Sequence, residues 1–282
     1  MSVNLPAHSD SLYSIVVELR AIDSGQPPAT LGRALHAQVL RWIELGNPEV
    51  SASIHDRQSS PLSVSGLIGN RRPTQTESGD YFIVRIGILD GDIVQPLLRG
   101  LTEWGTEPLI LAKFPFLMTR TYMFADSHPL ASSSSYSALA NIKESDSSIE
   151  LNFTSPTSFK QKQDIQTFPL TELVFGSLQR RWNMFAPPEL QFPKIEWEGV
   201  VSAYELRTHA LRLEGGAEIG TQGWIRYRFR DSEQARMATI LGQYAFFAGV
   251  GRKTTMGMGQ TRVMEKKKAK GKPKRKFKKP YK

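Results

Sequence analysis

The stretch SLYSIVVELR, Ser11–Arg20, is rich in Val and Ile and alternates well enough to be a β-strand. The residues after it decide the fold. QPPAT (26–30) stops the strand, and Thr30 stands where it can cap a helix beginning at Leu31. Leu31, Leu35, Val39, Trp42 and Ile43 then recur at helical spacing, giving one apolar stripe. PLSVSGLIG (61–69) and DYFIVRIGIL (80–89) read as a second and a third strand. GDIVQPLLRGLTEWG (91–105) reads as a second helix, with Pro96 near its start or at a bend. PLILAKFPFLMTRTYMF (108–124) supplies a closing strand. The order β-α-β-β-α-β is the ferredoxin-like unit.

Beyond it, the serine-rich HPLASSSSYS (128–137) opens a stretch, 128–147, that reads as a linker or mobile loop. The order then repeats. A strand falls at SIELNFTS (148–155), a helix at PLTELVFGSLQRRW (169–182), and strands at 199–213 and 223–230. A helix from about Asp231 to Phe247 leads through a glycine-rich loop to a last strand near Met258–Met264. The sequence thus predicts an α+β chain of two tandem ferredoxin-like (RRM-like, βαββαβ) domains. They span 1–127 and 148–265, with the glycine-rich loop at 249–259 and a basic tail at 266–282.

The charge balance sharpens this division. The 282 residues carry a formal net charge of +9, but eleven Lys and Arg and no acid lie in residues 266–282. The remainder holds 25 basic and 27 acidic residues, so the excess belongs to the tail and not to the folded body. Such a run cannot bury apolar area and is expected to be disordered. It would attract a polyanion, most naturally nucleic acid, with Phe277 and Tyr281 available to stack on bases. Cysteine is absent, which excludes disulfide frameworks and thiolate metal sites and agrees with a cytoplasmic protein. No apolar run reaches the length of a membrane span, and the first residues lack the order of a secretory signal, so no membrane partner is expected.

AFFAGVGRKTTMGMG (245–259) places Gly249, Gly251, Gly257 and Gly259 around Arg252, Lys253, Thr254 and Thr255. Glycine permits positive φ and close backbone approach, and clustered amides can cradle a phosphate. The spacing fits neither a P-loop nor the dinucleotide fingerprint. A tight helix-to-strand turn would also explain it. Of the histidines His8, His36, His55, His128 and His209, none stands at metal-ligand spacing, so neither a metal site nor another cofactor is expected. His36 lies just off the apolar stripe of the first helix, with Arg33 one turn earlier on the same side. His55 closes NPEVSASIHD. A helix-edge histidine is usually only that. Yet RNA cleavage without metal needs a base for the 2′-OH and an acid for the departing 5′-oxygen. Imidazole serves either role near neutral pH, and an arginine can stabilise the phosphate charge.

LHAQVLRWIELGNPEVSASIHD with PLSVSGL, then LNFTSPTSF, then GVGRKTTMGMGQTRV resemble the CRISPR repeat-cleaving endoribonucleases, the sixth Cas protein family of the RAMP superfamily. The resemblance runs over roughly residues 11–264, the glycine loop and the histidine-proline-serine block being its more specific parts. It implies tandem ferredoxin-like domains and CRISPR repeat RNA (precursor crRNA) as partner. It also implies metal-free cleavage by 2′-OH attack, leaving a 2′,3′-cyclic phosphate and a 5′-hydroxyl. The family's catalytic histidine matches His36 in some members and His55 in others. Leu40 stands where some members have tyrosine, and Ser60-Pro61 where they have lysine, which leaves His36, His55 and Arg33 as the working catalytic set. Tyr13, Tyr244 or a loop lysine would be the fallback base. The resemblance implies that the glycine loop packs across the domain interface toward RNA. Arg180 and Arg181, on the second domain's first helix, would then take a repeat hairpin's phosphates.

Two rival readings remain at this point. The same fold could be a non-catalytic RAMP-type RNA-binding subunit of a CRISPR effector complex, or the chain could be an unrelated RNA-associated protein carried by its tail. Which histidine is acid and which is base stays open.

Overall fold

The computed structural model describes residues 10–26, 31–57, 59–69, 75–143, 145–213 and 216–264. Thr30 and the basic run 266–282 lie outside the described residues, and so do the tail's Phe277 and Tyr281.

The first unit opens with β1 (Ser11–Ala21), α1 (Gly32–Gly46) and a second helix, α2 (Pro48–Asp56). Next come strands β2 (Leu62–Val64), β3 (Ile68–Gly69) and β4 (Tyr81–Ile88), helix α3 (Val94–Trp104), and strands β5 (Leu109–Leu111) and β6 (Phe114–Tyr122). All pairings of the sheet are antiparallel, and its path runs β2-β4-β1-β6-β5. β1 lies at the centre of that path and is buried on both faces. Tyr13, Ile15, Val17 and Leu19 face the helices and join Leu35, Val39, Trp42 and Ile43 of α1 and Leu97 and Leu101 of α3 in one core. The apolar stripe predicted for α1 is buried as expected.

The second unit is built from β8 (Ser148–Thr157), α5 (Thr171–Phe185), β11 (Val200–Leu213), β12 (Gly216–Arg228), α6 (Ser232–Ala248) and β13 (Thr261–Val263). A small hairpin, β9 (Phe159–Gln161) with β10 (Asp164–Gln166), is inserted after β8. Its sheet runs β11-β12-β8-β13. This is the same permutation as β2-β4-β1-β6, so the chain carries the βαββαβ pattern in both halves.

Four local readings change. The stretch 108–124 is a hairpin, not one strand, because Ala112 and Lys113 both take positive φ, 47° and 73°. Those values suit a two-residue turn that matches strand twist, which an Ala-Lys pair does not announce as Asn-Gly would. The stretch 61–69 breaks after Val64: the register against β4 slips by one residue between β2 and β3, where Ser65 bridges to Gly257 while its amide still donates to the Arg85 carbonyl. Helix α2 is an addition to the sequence reading. Asn47 caps it by accepting from the Glu49 and Val50 amides at 3.0 and 3.2 Å, with Pro48 at its first turn. The N-cap position of α1 falls on Leu31, with no side-chain cap.

The serine-rich stretch is also different. In place of a linker or mobile loop, Ser132–Ser135 form β7, paired with Ser11–Ser14 of β1, and Tyr136–Ala140 form α4. Tyr136 is the reason. Its ring is fully buried between Trp182 and Tyr244, and its hydroxyl donates to the Leu89 carbonyl at 2.9 Å. Leu12 of β1 and Leu89, directly after β4, sit in the same core. The two halves therefore share packing and do not merely touch.

Candidate nucleic-acid cleavage site

The site begins with α1 and α2. Ile54 of α2 is buried in the first core, and Ser51 lies against α1 with its hydroxyl toward the Leu40 carbonyl. This docking leaves His55, next to Ile54, exposed in the last turn of α2. His36 comes after the buried Leu35 on α1 and is half-buried, and Arg33 is exposed in the first turn. Partial burial disfavours the imidazolium of His36, and His55 adds its own repulsion, so the His36 pKa lies below the ordinary imidazole value. The two histidines, 19 positions apart in the sequence, are thus close enough in space to feel each other's charge.

The glycine loop arrives from the other half. All four glycines, 249, 251, 257 and 259, take positive φ, and Lys253 does as well at 52°. At Gly251 the requirement is double, since φ is 80° and a Cβ would lie 2.3 Å from the Ser158 carbonyl oxygen. The loop is stitched to β2: the Val64 amide donates to the Thr254 carbonyl at 2.8 Å, and the Gly257 amide donates to the Val64 carbonyl at 3.0 Å. Beyond this, the Met256 carbonyl lies directly against Gly32, the first residue of α1. The loop therefore crosses the interface and rests on the start of the helix that carries Arg33 and His36.

Most loop amides are engaged within the protein. Those of Val250, Arg252, Met256, Gly257, Met258 and Gly259 donate to main-chain carbonyls. Among the described residues, the amides of Gly251, Lys253, Thr254 and Thr255 have no such acceptor, the last three in succession. Three successive amides behind a left-handed residue make the kind of concavity that holds an anion. The stretch of successive unengaged amides is thus shorter than the glycine spacing suggests.

The basic residues named from sequence divide sharply. Arg252 and Lys253 both pair with Glu218 of β12, the former at 3.0 Å. Hydrogen bonding from Lys253, then Arg252, holds the Glu218 carboxyl below the usual range despite its partial burial. One carboxylate against two cations leaves a single net positive charge. Arg180 is exposed and lines a groove on α5 with Met184, Lys194 and Trp197. Arg181 is turned inward, its guanidinium donating to the Ala248, Ser60 and Leu62 carbonyls and to Thr254. Its Nη1 and Nη2 donors are spent inside the protein, whereas its neighbour is open to solvent. The fallback bases fare no better, since Tyr13 and Tyr244 are both buried, and burial pushes the Tyr244 hydroxyl up to about 12.

Sequence reasoning missed Arg85 and Gln260. Arg85 is buried in β4 and donates from Nε to Gln260 Oε1 at 2.8 Å, while its ring neighbour is Phe246. Both border a cavity of about 380 Å³ between the halves, with Ser65, Gly66 and Gly257 at its loop end. A lone arginine inside the apolar run YFIVRIGI was the available signal. Among the described residues, no group of three or more His, Asp or Glu could hold a metal, and no helix is long and apolar enough to cross a membrane.

Comparison with known proteins bears on this arrangement. The family model for the CRISPR-associated endoribonuclease Cas6 matches residues 151–261, which include the whole glycine loop. The chain is Cas6-like. A Streptococcus thermophilus CRISPR-associated endoribonuclease Cas6 is 24% identical over 136 residues, covering 45% of this chain and 55% of the relative, so the match spans about half that protein's length. A Cas6 product complex superposes with a TM-score of 0.77 at 24% identity, over 90% of this chain and 100% of the other. A second Cas6 product complex gives 0.72 at 27% identity, over the same shares. The Cas6-like fold accordingly embraces both halves, including the α1–α2 face that the family model does not reach.

Proposed function

We propose that the chain is an endoribonuclease that binds CRISPR repeat RNA and cleaves precursor crRNA within the repeat, without a metal ion. The observation that carries this reading is His36, its pKa depressed by burial and by His55, on the helix whose first turn meets the glycine loop. A lowered pKa keeps the imidazole neutral near pH 7, the state a general base requires. His36 takes the proton from the 2′-hydroxyl, and the 2′-oxygen attacks the adjacent phosphorus. The bond from phosphorus to the 5′-oxygen breaks, and His55 as imidazolium gives that oxygen its proton. The products are a 2′,3′-cyclic phosphate and a 5′-hydroxyl. Charge building on the phosphate is met by Arg33 and by the Lys253–Thr255 amides, fixed donors that need no rearrangement at the moment of reaction. Arg180 supplies a binding contact remote from the chemistry.

The test is incubation of a labelled CRISPR repeat with the protein in EDTA, beside the same RNA carrying one 2′-deoxy nucleotide at the cut. Cleavage of the first at a single phosphodiester, with retention but no cleavage of the second, is the expected result. Cutting of the deoxy substrate at full rate overturns the 2′-OH mechanism. Retention of the unmodified RNA without cleavage makes the protein an RNA-binding module instead.

A further inference from the structure

The last turn of α6 raises a question that the glycine loop alone does not answer. A helix leaves its final four carbonyls without intrahelical partners, and a buried end must satisfy them from elsewhere. Ala248 and Val250 are fully buried, so solvent cannot do it. The Ala245 carbonyl accepts from the Gly249 amide at 2.9 Å. The remaining three are taken, in order, by side chains. Arg85 Nη1 donates to the Phe246 carbonyl, Ser63 Oγ to the Phe247 carbonyl at 2.6 Å, and Arg181 Nη1 to the Ala248 carbonyl at 2.5 Å.

The two arginines approach from opposite halves of the chain. Arg85 belongs to β4 and reaches across to Phe246 and Gln260. Arg181 belongs to α5 and reaches across to the Ser60 and Leu62 carbonyls, at 3.2 and 2.6 Å, as well as to Thr254 Oγ1 at 2.6 Å. Among the described residues neither guanidinium meets a carboxylate. Burial pushes Arg85 down to about 10 and lowers Arg181, yet both remain cations at neutral pH. The negative end of the α6 dipole, with its converging carbonyls, is the counter-charge that makes two such buried cations tolerable. Their partners bracket the loop: Phe246 and Ala248 precede it, Thr254 lies within it and Gln260 comes directly after it.

We propose that Arg85 and Arg181 are positioning residues that clamp the base of the glycine loop, through the carbonyl end of α6, in register with β2 and the start of α1. As a statement about cleavage this rests on the nuclease reading; as a statement about the loop it does not. The guanidinium fork is essential to it, because a lysine supplies the charge but cannot reach acceptors on three segments at once.

The experiment compares wild type with Arg181→Lys and Thr254→Val, by amide hydrogen exchange of the 249–259 segment without RNA and by single-turnover cleavage at saturating enzyme. Arg181→Lys is expected to speed exchange in that segment by about tenfold or more while α5 keeps its protection. It should slow the chemical step by about tenfold or more with RNA affinity changed less than about threefold, and Thr254→Val should do the same to a smaller degree. Wild-type exchange in the loop of Arg181→Lys overturns the clamp, and a loosened loop with an undiminished chemical step overturns its positioning role in cleavage. If Arg181→Lys fails to fold, Thr254→Val and Ser63→Ala decide, since each removes one bond without stranding a charge; wild-type exchange in both overturns the proposal. A wild-type protein that does not cut the RNA defeats the nuclease reading, while the exchange measurement still decides the clamp.

Discussion

The Met256 carbonyl and Gly32 are in direct contact: a Cβ on residue 32 would lie 2.4 Å from that oxygen. This contact joins the glycine loop of one half to the histidine helix of the other, and it can exist only because residue 32 has no side chain. Gly32→Ala should therefore part loop and helix, at a stability cost of roughly 1–3 kcal/mol as for other overpacked sites. Its cleavage rate should fall by more than its RNA affinity does. Thermal unfolding and single-turnover kinetics check this, and a variant with wild-type values in both would show that the loop moves aside freely.

His36→Ala and His55→Ala should each slow cleavage by about a hundred- to ten-thousand-fold at saturating enzyme, the usual contribution of a general acid or base. RNA affinity should change little in either. Arg180→Ala should do the reverse, weakening binding while saturated cleavage survives. Wild-type rates in both histidine variants would dismiss the assignment.

The pH profile carries a sign. The His36 pKa is lowered, chiefly by burial and then by His55, so the base stays neutral to a lower pH than a free imidazole would. The acid limb of the single-turnover rate should fall below the ordinary imidazole value of about 6.5. His55→Gln removes one of the two causes and should move that limb upward in whatever activity remains. An acid limb at or above the ordinary value would place the titrating base elsewhere.

Glu218 holds both Arg252 and Lys253, the two loop cations proposed to meet RNA. Glu218→Gln should release both cations, tightening RNA binding by several-fold, about 1 kcal/mol or less for a partly exposed pair, and steepening its salt dependence. Affinity titrations at two salt concentrations read this out. Unchanged binding would mean that neither cation meets the phosphate backbone.

Deleting residues 266–282 removes eleven of the chain's basic residues and no acidic one. Binding at low salt should weaken and its salt slope flatten, with thermal stability unchanged. An unchanged slope would make the run a solubilising end only.

How much of the molecule was legible in the sequence depends on the range of the interactions involved. The Val- and Ile-rich run in Ser11–Arg20 and the stripe from Leu31 to Ile43 are local patterns, set by what each element buries. They were sufficient for the strand and helix, and their repetition for the two βαββαβ halves. The hairpin at Ala112-Lys113 and the break after Val64 were not legible, because neighbours distant in sequence impose them. The same holds for the site. Glycine spacing announced a special loop, but only the fold decided which three successive amides lack a main-chain acceptor and that the loop's cations share Glu218. Arg180 and Arg181 are adjacent letters, yet successive helical residues point about 100° apart, so one meets solvent while the other caps the end of α6 and reaches across the interface to the Ser60 and Leu62 carbonyls. His36 and His55 could be named together from the sequence, but their proximity could not; the docking of Ile54 and Ser51 against α1 accounts for it. Composition and periodicity record what each segment buries, whereas a site is made by contacts between segments, and those are settled only when the halves close on each other.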